Sequence, residues 1–354
     1  MRILIVKTSS LGDIIHAFPL VDFLHQEFPG VLIDWVVEKN FSEIVHAHPF
    51  IHRVIEIDTK GWRKGIGQPT TWKAMKNFRR EMQAETYEVV FDLQGNTKSA
   101  IPTYLSRSQH KVGFGLKTIH EWPNVLFTNH RYNPPLNLNV REENLYLAQQ
   151  YFQRNTQVEN EKVTLKLNQE QLAVCHHIKE QLRKASGKKI LVCAGSAWKN
   201  KKLSSDALEF FLRKVSGVFS VSFFLAWGSK EEFLEAQKLQ EVLGENACVL
   251  DKLSLPVLQN VMTEMDVVIA MDSLPLHLAG TSGTPTFSVF GASSASKYNP
   301  KGEKNIALQG ECPYGRVFER RCPILRTCQT GLCIRSLPGE KIFQAFDNFF
   351  RKLP

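Results

Sequence analysis

Short β-branched runs alternate with helix-period stretches along this chain, and that alternation confines it to an α/β fold built on parallel sheets. Neighbouring parallel strands need a crossover long enough to hold a helix, so strand and helix patterns must take turns. The first half predicts strands at 2–6, 32–37, 53–57 and 89–93, with helices at 17–27 and 41–47. The second half repeats the grammar, with strands at 189–193, 222–227, 267–271 and 286–290 and helices near 205–215, 231–242 and 257–263. A chain of 354 residues is too long for one compact core. Two doubly wound α/β domains are therefore expected, 1–160 and 161–339, joined by the polar stretch at 154–161. A last helix places Ile342, Phe343, Phe346, Phe349 and Phe350 on one face. Such a stripe is a packing surface, expected to dock segment 340–354 back onto the first domain.

Apolar runs such as 267–271 are strand-sized and far shorter than a membrane span. Met1-Arg2 runs straight into a strand pattern without a leader, so a cytoplasmic protein is expected. Seven cysteines in a reducing compartment do not suggest a disulfide framework. Four of them, Cys312, Cys322, Cys328 and Cys333, crowd one segment. Their spacing lacks the paired knuckles of a zinc ribbon, so buried or redox-labile thiols are expected there rather than zinc. His46, His48, His52, His176 and His177 are read as surface or packed residues, and no metal is assigned to them.

A formal charge of +9 favours an anionic partner: a phosphorylated small molecule, an acidic membrane face or nucleic acid. Seven basic residues and no acid lie between Lys60 and Arg80, interleaved with Trp62, Trp72 and Phe78. That mixture fits a phosphate-rich interfacial ligand; a solvated basic helix face is the competing reading. No helix-turn-helix, zinc-finger or RNA-binding signature is present, so nucleic acid is not expected as the partner. Neither a G-x-x-x-x-G-K-[ST] phosphate loop nor a G-x-G-x-x-G turn after the first strand occurs, which removes the main support for ATPase and dehydrogenase readings, and no cofactor is expected.

Two segments carry chemistry. Asp13 sits where the first strand breaks into Lys7-Thr8-Ser9-Ser10-Leu11-Gly12 and a helical pattern begins. In open parallel sheets ligands gather beyond the carboxyl ends of strands, so this acid is a candidate base; a helix cap is the alternative. In the second half Met271-Asp272-Ser273-Leu274-Pro275-Leu276-His277 follows a strand and opens a helix, a cradle for a diphosphate. Lys201, after another strand, supplies a cation to the same anion. An acid in one domain and a phosphate cradle in the other, facing across a cleft, describe glycosyl transfer. Without an Asp-x-Asp metal site, helix dipoles, Lys201 and His277 would neutralise a departing nucleoside diphosphate.

The chain resembles the bacterial heptosyltransferases of glycosyltransferase family nine over nearly its whole length. The likeness rests on residues 2–13, Asp34-Trp35-Val36-Val37-Glu38, Trp62-Arg63-Lys64, residues 92–100 with their Asp92-Leu93-Gln94-Gly95-Asn96 opening, and Asp272-Ser273 with His277. Lys7-Thr8-Ser9-Ser10 before Gly12-Asp13 favours the first-acting branch of that family over the second. The resemblance implies two Rossmann-like domains of GT-B type, the first for the acceptor and the second for the nucleotide sugar. It implies an ADP-heptose donor, a Kdo-lipid A acceptor, anomeric inversion without a metal, and peripheral work at the inner face of the cytoplasmic membrane. Asp13 matches the catalytic base, with Lys201 assisting the chemical step. Lys201, Asp272, Ser196, Ser273 and His277 match donor contacts, and Glu232 a nucleoside contact. Lys60, Arg63 and Lys64 match basic residues on a loop that holds the acceptor's acidic groups, with Lys98 on the same side.

The chain departs from the family at three places. Leu274 and Pro275 stand where a glycine is usual, Ala197 replaces a hydroxyl beside Ser196, and Asn139, near Arg141, occupies a histidine position. Two other classes stay open at this level: a transferase or epimerase of the same fold acting on another sugar or acceptor, and a non-enzymatic protein that docks on anionic membranes or nucleic acid.

Overall fold

The computed structural model describes residues 1–156 and 162–353. The expected linker falls mostly on residues 157–161, which lie outside the described residues. The chain divides into two compact units, Met1–Glu161 and Lys162–Pro354.

The first unit is built on six parallel strands: β1 Arg2–Val6, β2 Leu32–Glu38, β3 Ile51–Ile57, β4 Val89–Asp92, β5 Lys111–Phe114 and β6 His130–Tyr132. Their order is β3-β2-β1-β4-β5-β6, with Ile3 of β1 between Ile33 and Val89. The second unit has β7 Lys188–Cys193, β8 Val221–Leu225, β9 Ala247–Val249, β10 Val267–Met271, β11 Thr286–Phe290 and β12 Asn305–Gln309, in the order β12-β11-β10-β7-β8-β9. Read from β9, this is the winding of the first sheet again. Each sheet therefore reverses direction once, between β1 and β4 and between β7 and β10, where ligand crevices form beyond the strand ends.

The central strands have both faces covered. Ile3, Leu4, Ile5 and Val6 are fully buried, as is all of β10, which is why these strands read as unbroken apolar runs. Strands β5, β6, β9 and β12 were not expected from the sequence. Of these, β5, β6 and β9 span only three or four residues, and β6, β9 and β12 form sheet edges, β6 and β12 with partly exposed, polar-interrupted patterns.

Two expectations need correction. The final helix, Gly339–Phe350, joins the second unit rather than the first. Its stripe is buried against helix Ser205–Val218 and β11: the Phe346 ring lies 5.4 Å from Phe211 and 5.3 Å from Phe287. The spacing of the stripe was legible, but its partner, an aromatic pocket of Phe211 and Phe287, was not. Likewise the basic stretch 60–80 is not a loop. It forms helices Thr59–Lys64 and Pro69–Met82, with Trp62 and Phe78 packed ring to ring at 5.4 Å over the apolar layer beneath β3 and β4.

Candidate functional site

In the first unit the functional candidates collect where β1 and β4 end. Lys7 continues β1 and is buried, and its Nζ donates to the Leu93 carbonyl at 2.6 Å. Burial pushes this ammonium's pKa down, against the pull of Asp13, Asp92 and Glu143, which favour its charge. The next two backbone N–H groups, of Thr8 and Ser9, donate to Gln94 Oε1 at 3.2 and 3.1 Å, tying the β1 loop to the β4 loop. The β4 loop is organised by buried Asp92. Its Oδ1 accepts from the N–H groups of Gln94 and Gly95, and its Oδ2 from Ser99, Thr103 and Asn124. Gly95 turns this loop at φ +63°, a conformation that favours glycine.

Asp13 lies in the first turn of helix Leu11–Ile15. Its Oδ2 accepts from the Ser10 N–H at 3.1 Å and the Ser10 hydroxyl at 2.7 Å, and its Oδ1 stands 4.0 Å from His16 Nδ1. The side chain remains 29% exposed. One carboxylate thus closes the turn that holds it and still presents surface to solvent.

Lys60, Arg63 and Lys64 project from helix Thr59–Lys64 and are exposed. Asp58 caps that helix through the Gly61 N–H at 2.8 Å, and Glu38, at the end of β2, accepts from the Thr59 N–H and hydroxyl. The three cations are therefore mounted on a fixed element. Lys98 is exposed in the first turn of helix Thr97–Leu105, which Asn96 caps through the Ser99 N–H at 3.0 Å. Asn139 caps helix Val140–Phe152 and is buried, as is Arg141. His52 pairs with buried Asp34 at 3.1 Å beside Arg53 and Tyr87, a structural cluster.

The second unit assembles its own group at the ends of β7, β10 and β11. Asp272, directly after β10, is 4% exposed; its Oδ2 accepts from Lys201 Nζ at 2.5 Å and from the Ser293 hydroxyl, and its Oδ1 lies 3.7 Å from His277 Nε2. Burial opposes its charge, but Lys201 and His277, with the hydrogen bonds from Lys201 and Ser293, hold its carboxyl below the usual range. Ser273 is the extended residue before helix Leu274–Ala279, and Pro275 falls in that helix's first turn, where a missing N–H costs the helix nothing. The unusual Leu274-Pro275 pair is thus accommodated, with one fewer donor at the helix start.

Ser196 and Glu232 are placed differently. Ser196 accepts weakly from the Trp198 N–H at 3.5 Å. Glu232 caps helix Lys230–Leu243, its Oε2 accepting from the N–H groups of Gly228 and Ser229 at 2.8 and 3.3 Å, and it packs so closely on Gly195 that a Cβ there would overlap it. Neither residue bonds to Asp272 or Lys201, although both border the same strand ends. Ser293, Lys7 and Gln94 were missed by sequence reasoning. Ser293 follows the small pair Gly291-Ala292 after β11, a pattern shared by many loops, and Lys7 looks like any lysine at a strand end. Among the described residues no group of three or more His, Cys, Asp or Glu is arranged to hold a metal ion. Of the four clustered cysteines, Cys322 and Cys333 share a small buried cluster with Ala292, and Cys312 packs against it.

Residues 75–327 match the model of glycosyltransferase family 9 (heptosyltransferase). The lipopolysaccharide heptosyltransferase 1 of Pseudomonas aeruginosa is 30% identical over 323 residues, 91% of this chain and 87% of that protein. The chain belongs to glycosyltransferase family 9. As a family 9 protein it is a glycosyltransferase. The Escherichia coli lipopolysaccharide heptosyltransferase 1 is 28% identical, covering 82% of this chain and 88% of its own length. Among solved structures, E. coli heptosyltransferase WaaC with ADP matches with a TM-score of 0.80 at 24% identity, covering 99% of this chain and all of that one. The family 9 glycosyltransferase of Veillonella parvula also gives 0.80, at 17% identity, covering 99% of this chain and 97% of that one. At these identities the likeness is one of fold: the GT-B pair of Rossmann-like sheets. The family 9 match takes in the Asp272 group and Lys98, and begins after Asp13 and helix Thr59–Lys64.

Proposed function

We propose that this family 9 enzyme transfers heptose, with inversion, from ADP-heptose to Kdo of Kdo-lipid A in inner-core lipopolysaccharide synthesis, working at the cytoplasmic face of the inner membrane. The relatives named lipopolysaccharide heptosyltransferase 1 support the reaction, and the WaaC structures containing ADP and ADP-2-deoxy-2-fluoro heptose support the donor. The observation that carries the mechanism is Asp13: a partly open carboxylate at the β1 end, held by Ser10, beside the β1/β4 reversal.

In this reading Asp13 takes the proton of the attacking acceptor hydroxyl as the new bond to the anomeric carbon forms. The bond from that carbon to the diphosphate oxygen breaks at the same time, and ADP leaves with the electron pair. A sugar hydroxyl is a weak acid, so Asp13 acts only in the transition state, where the oxygen has begun to give up charge. Lys201, anchored by Asp272, keeps two further ammonium N–H groups for the departing diphosphate, joined by His277, Ser196 and Ser273 at the strand ends; Glu232 faces the nucleoside. Lys60, Arg63, Lys64 and Lys98 hold the acidic acceptor.

The deciding experiment incubates the protein with ADP-heptose and Kdo-lipid A, following ADP release and the mass of the lipid. One added heptose per acceptor is expected. If ADP appears without a heavier lipid, or only another nucleotide sugar turns over, the assignment of donor and acceptor falls.

A further inference from the structure

The first unit carries an exposed apolar ridge that the transfer reaction does not use. Helix Thr97–Leu105 buries Ser99, Ala100, Pro102 and Thr103 and turns Ile101 and Tyr104 outward, 51% and 67% exposed. Beside it the turn Trp122–Phe127 presents Trp122 and Leu126, 68% and 70% exposed. The Tyr104 ring lies 5.9 Å from Phe127, linking the two elements. Asn124, at the centre of the turn, donates to Asp92, the Asn96 carbonyl and Ser99, so the turn is fastened to the helix start from below. Four large apolar side chains are thus held open on a braced support. Isolated exposed apolar residues are ordinary, but a contiguous group on adjoining elements marks a contact surface.

The surroundings are cationic. Lys98 shares the helix with Ile101 and Tyr104. Helix Pro69–Met82 packs alongside, and its Lys73, Lys76, Arg79 and Arg80 are exposed together with Trp72. Of the acids on these elements, Glu81 is exposed near the end of helix Pro69–Met82, where the four cations outnumber it, and Glu121 is engaged by the N–H and hydroxyl of Thr97 and lies close to Lys98. Tryptophan and tyrosine flanked by lysine and arginine suit the boundary between lipid headgroups and acyl chains, where the rings enter the apolar layer and the cations meet phosphate.

We infer that Ile101, Tyr104, Trp122 and Leu126 form a docking ridge that lays the first unit on an anionic phospholipid bilayer, with helix Pro69–Met82 as its electrostatic flank. The inference rests on the lipid-acceptor reading only for the purpose of such a surface; the lipid it recognises is the bulk anionic bilayer, not the acceptor.

The test is flotation of the full-length protein with phosphatidylcholine vesicles, with and without phosphatidylglycerol, none containing Kdo-lipid A. Wild type is expected to float only with phosphatidylglycerol, and less so in high salt. The Ile101→Ser, Trp122→Ala, Leu126→Ser triple variant is expected to lose about tenfold in vesicle affinity, with unchanged ADP release on a soluble, lipid-free Kdo acceptor. Flotation of the triple variant equal to wild type overturns the ridge, as does a triple variant whose defect is a lost protein dimer rather than lost lipid binding. Should the triple variant misfold, quenching of wild-type tryptophan fluorescence by brominated lipids decides the matter. Quenching that Trp122→Phe removes supports the ridge, and quenching that survives this change overturns it. Vesicle binding by a protein that fails to glycosylate Kdo-lipid A would sink the proposed reaction and leave the docking surface standing.

Discussion

Lys201 donates to Asp272 across 2.5 Å, with both side chains nearly shut off from solvent at 11% and 4% exposure. They stand 71 residues apart in the chain, so this contact helps hold the β7 and β10 loops of the second unit to one another. Breaking a buried pair from one side strands the other charge, which costs about 3–5 kcal/mol, more than the pair itself contributes. Lys201→Ala is therefore expected to lower both donor affinity and stability, whereas Lys201→Met with Asp272→Asn restores much of the stability and none of the donor binding. Urea denaturation and donor titration on wild type and these two variants separate the two roles; full stability in Lys201→Ala would show the pair to be idle.

The same pair gives a pH dependence. The folded Asp272 carboxyl titrates below its unfolded value of about 4, so its stabilisation is fully present above that pH and is lost as pH falls through the lower folded value. Acid denaturation followed by circular dichroism should show a shallower acid limb in Asp272→Asn than in wild type.

Asp13 combines a helix cap with the proposed base, and an asparagine separates them. Its amide oxygen can still accept from the Ser10 N–H, so Asp13→Asn should keep most of the cap, where Asp13→Ala loses about 1 kcal/mol. Neither variant can take a proton, and removal of a general base lowers kcat by about a hundredfold to ten-thousandfold. Equal loss of turnover in both variants, with near wild-type melting in Asp13→Asn, is the expected result. Substantial turnover in Asp13→Asn would reduce this residue to a cap.

On helix Thr59–Lys64 the exposed and packed residues predict opposite phenotypes. Replacing Lys60, Arg63 and Lys64 with serine should leave the melting temperature within the small range of surface changes while raising acceptor KM about tenfold and flattening its salt dependence. Trp62→Ala, which removes the ring seated on Phe78, should instead destabilise by about 2 kcal/mol. Acceptor kinetics at two ionic strengths, set beside thermal unfolding, distinguish these cases.

How far the sequence could be read depends on the range over which each signal acts. Strands such as β1 and β10 announce themselves because both faces must be apolar; Asp272 does because it directly follows such a strand, and Asp13 because it opens the helix that the β1 loop feeds, both at the sheet's carboxyl edge. Edge strands such as His130–Tyr132 carry no such constraint and were invisible. The two sheets share one winding without any visible sequence repeat, because a winding demands only the alternation of apolar periods. What stayed hidden was long-range partnership. Phe346 advertises burial but not its fit to Phe211 and Phe287, and nothing local to Ser293 points to Asp272.

The cysteines offer a check on burial that needs no substrate. Thiolate, not thiol, reacts with alkylating agents, so labelling order follows pKa and access together. Cys193, fully covered in β7, is pushed up to about 12 by burial and by Glu232 nearby. Cys333 is raised to about 11 by burial and by the neighbouring Cys312, Cys328 and Cys322. Cys328 moves the other way: the Gly331 N–H donates to its sulfur at 3.5 Å, outweighing its slight burial, and holds the thiol below its ordinary value. That donor depends on Gly331 sitting at φ +59°, where a Cβ would also press on Asn200, so Gly331→Ala should slow the reaction of Cys328. Timed iodoacetamide labelling of the folded protein, read by peptide mass, should modify Cys328 first and Cys193 and Cys333 last. Labelling of Cys193 as fast as Cys328 under native conditions would mean that β7 opens to solvent, and the sheet carrying Lys201 and Asp272 could not then be the rigid support on which donor binding depends.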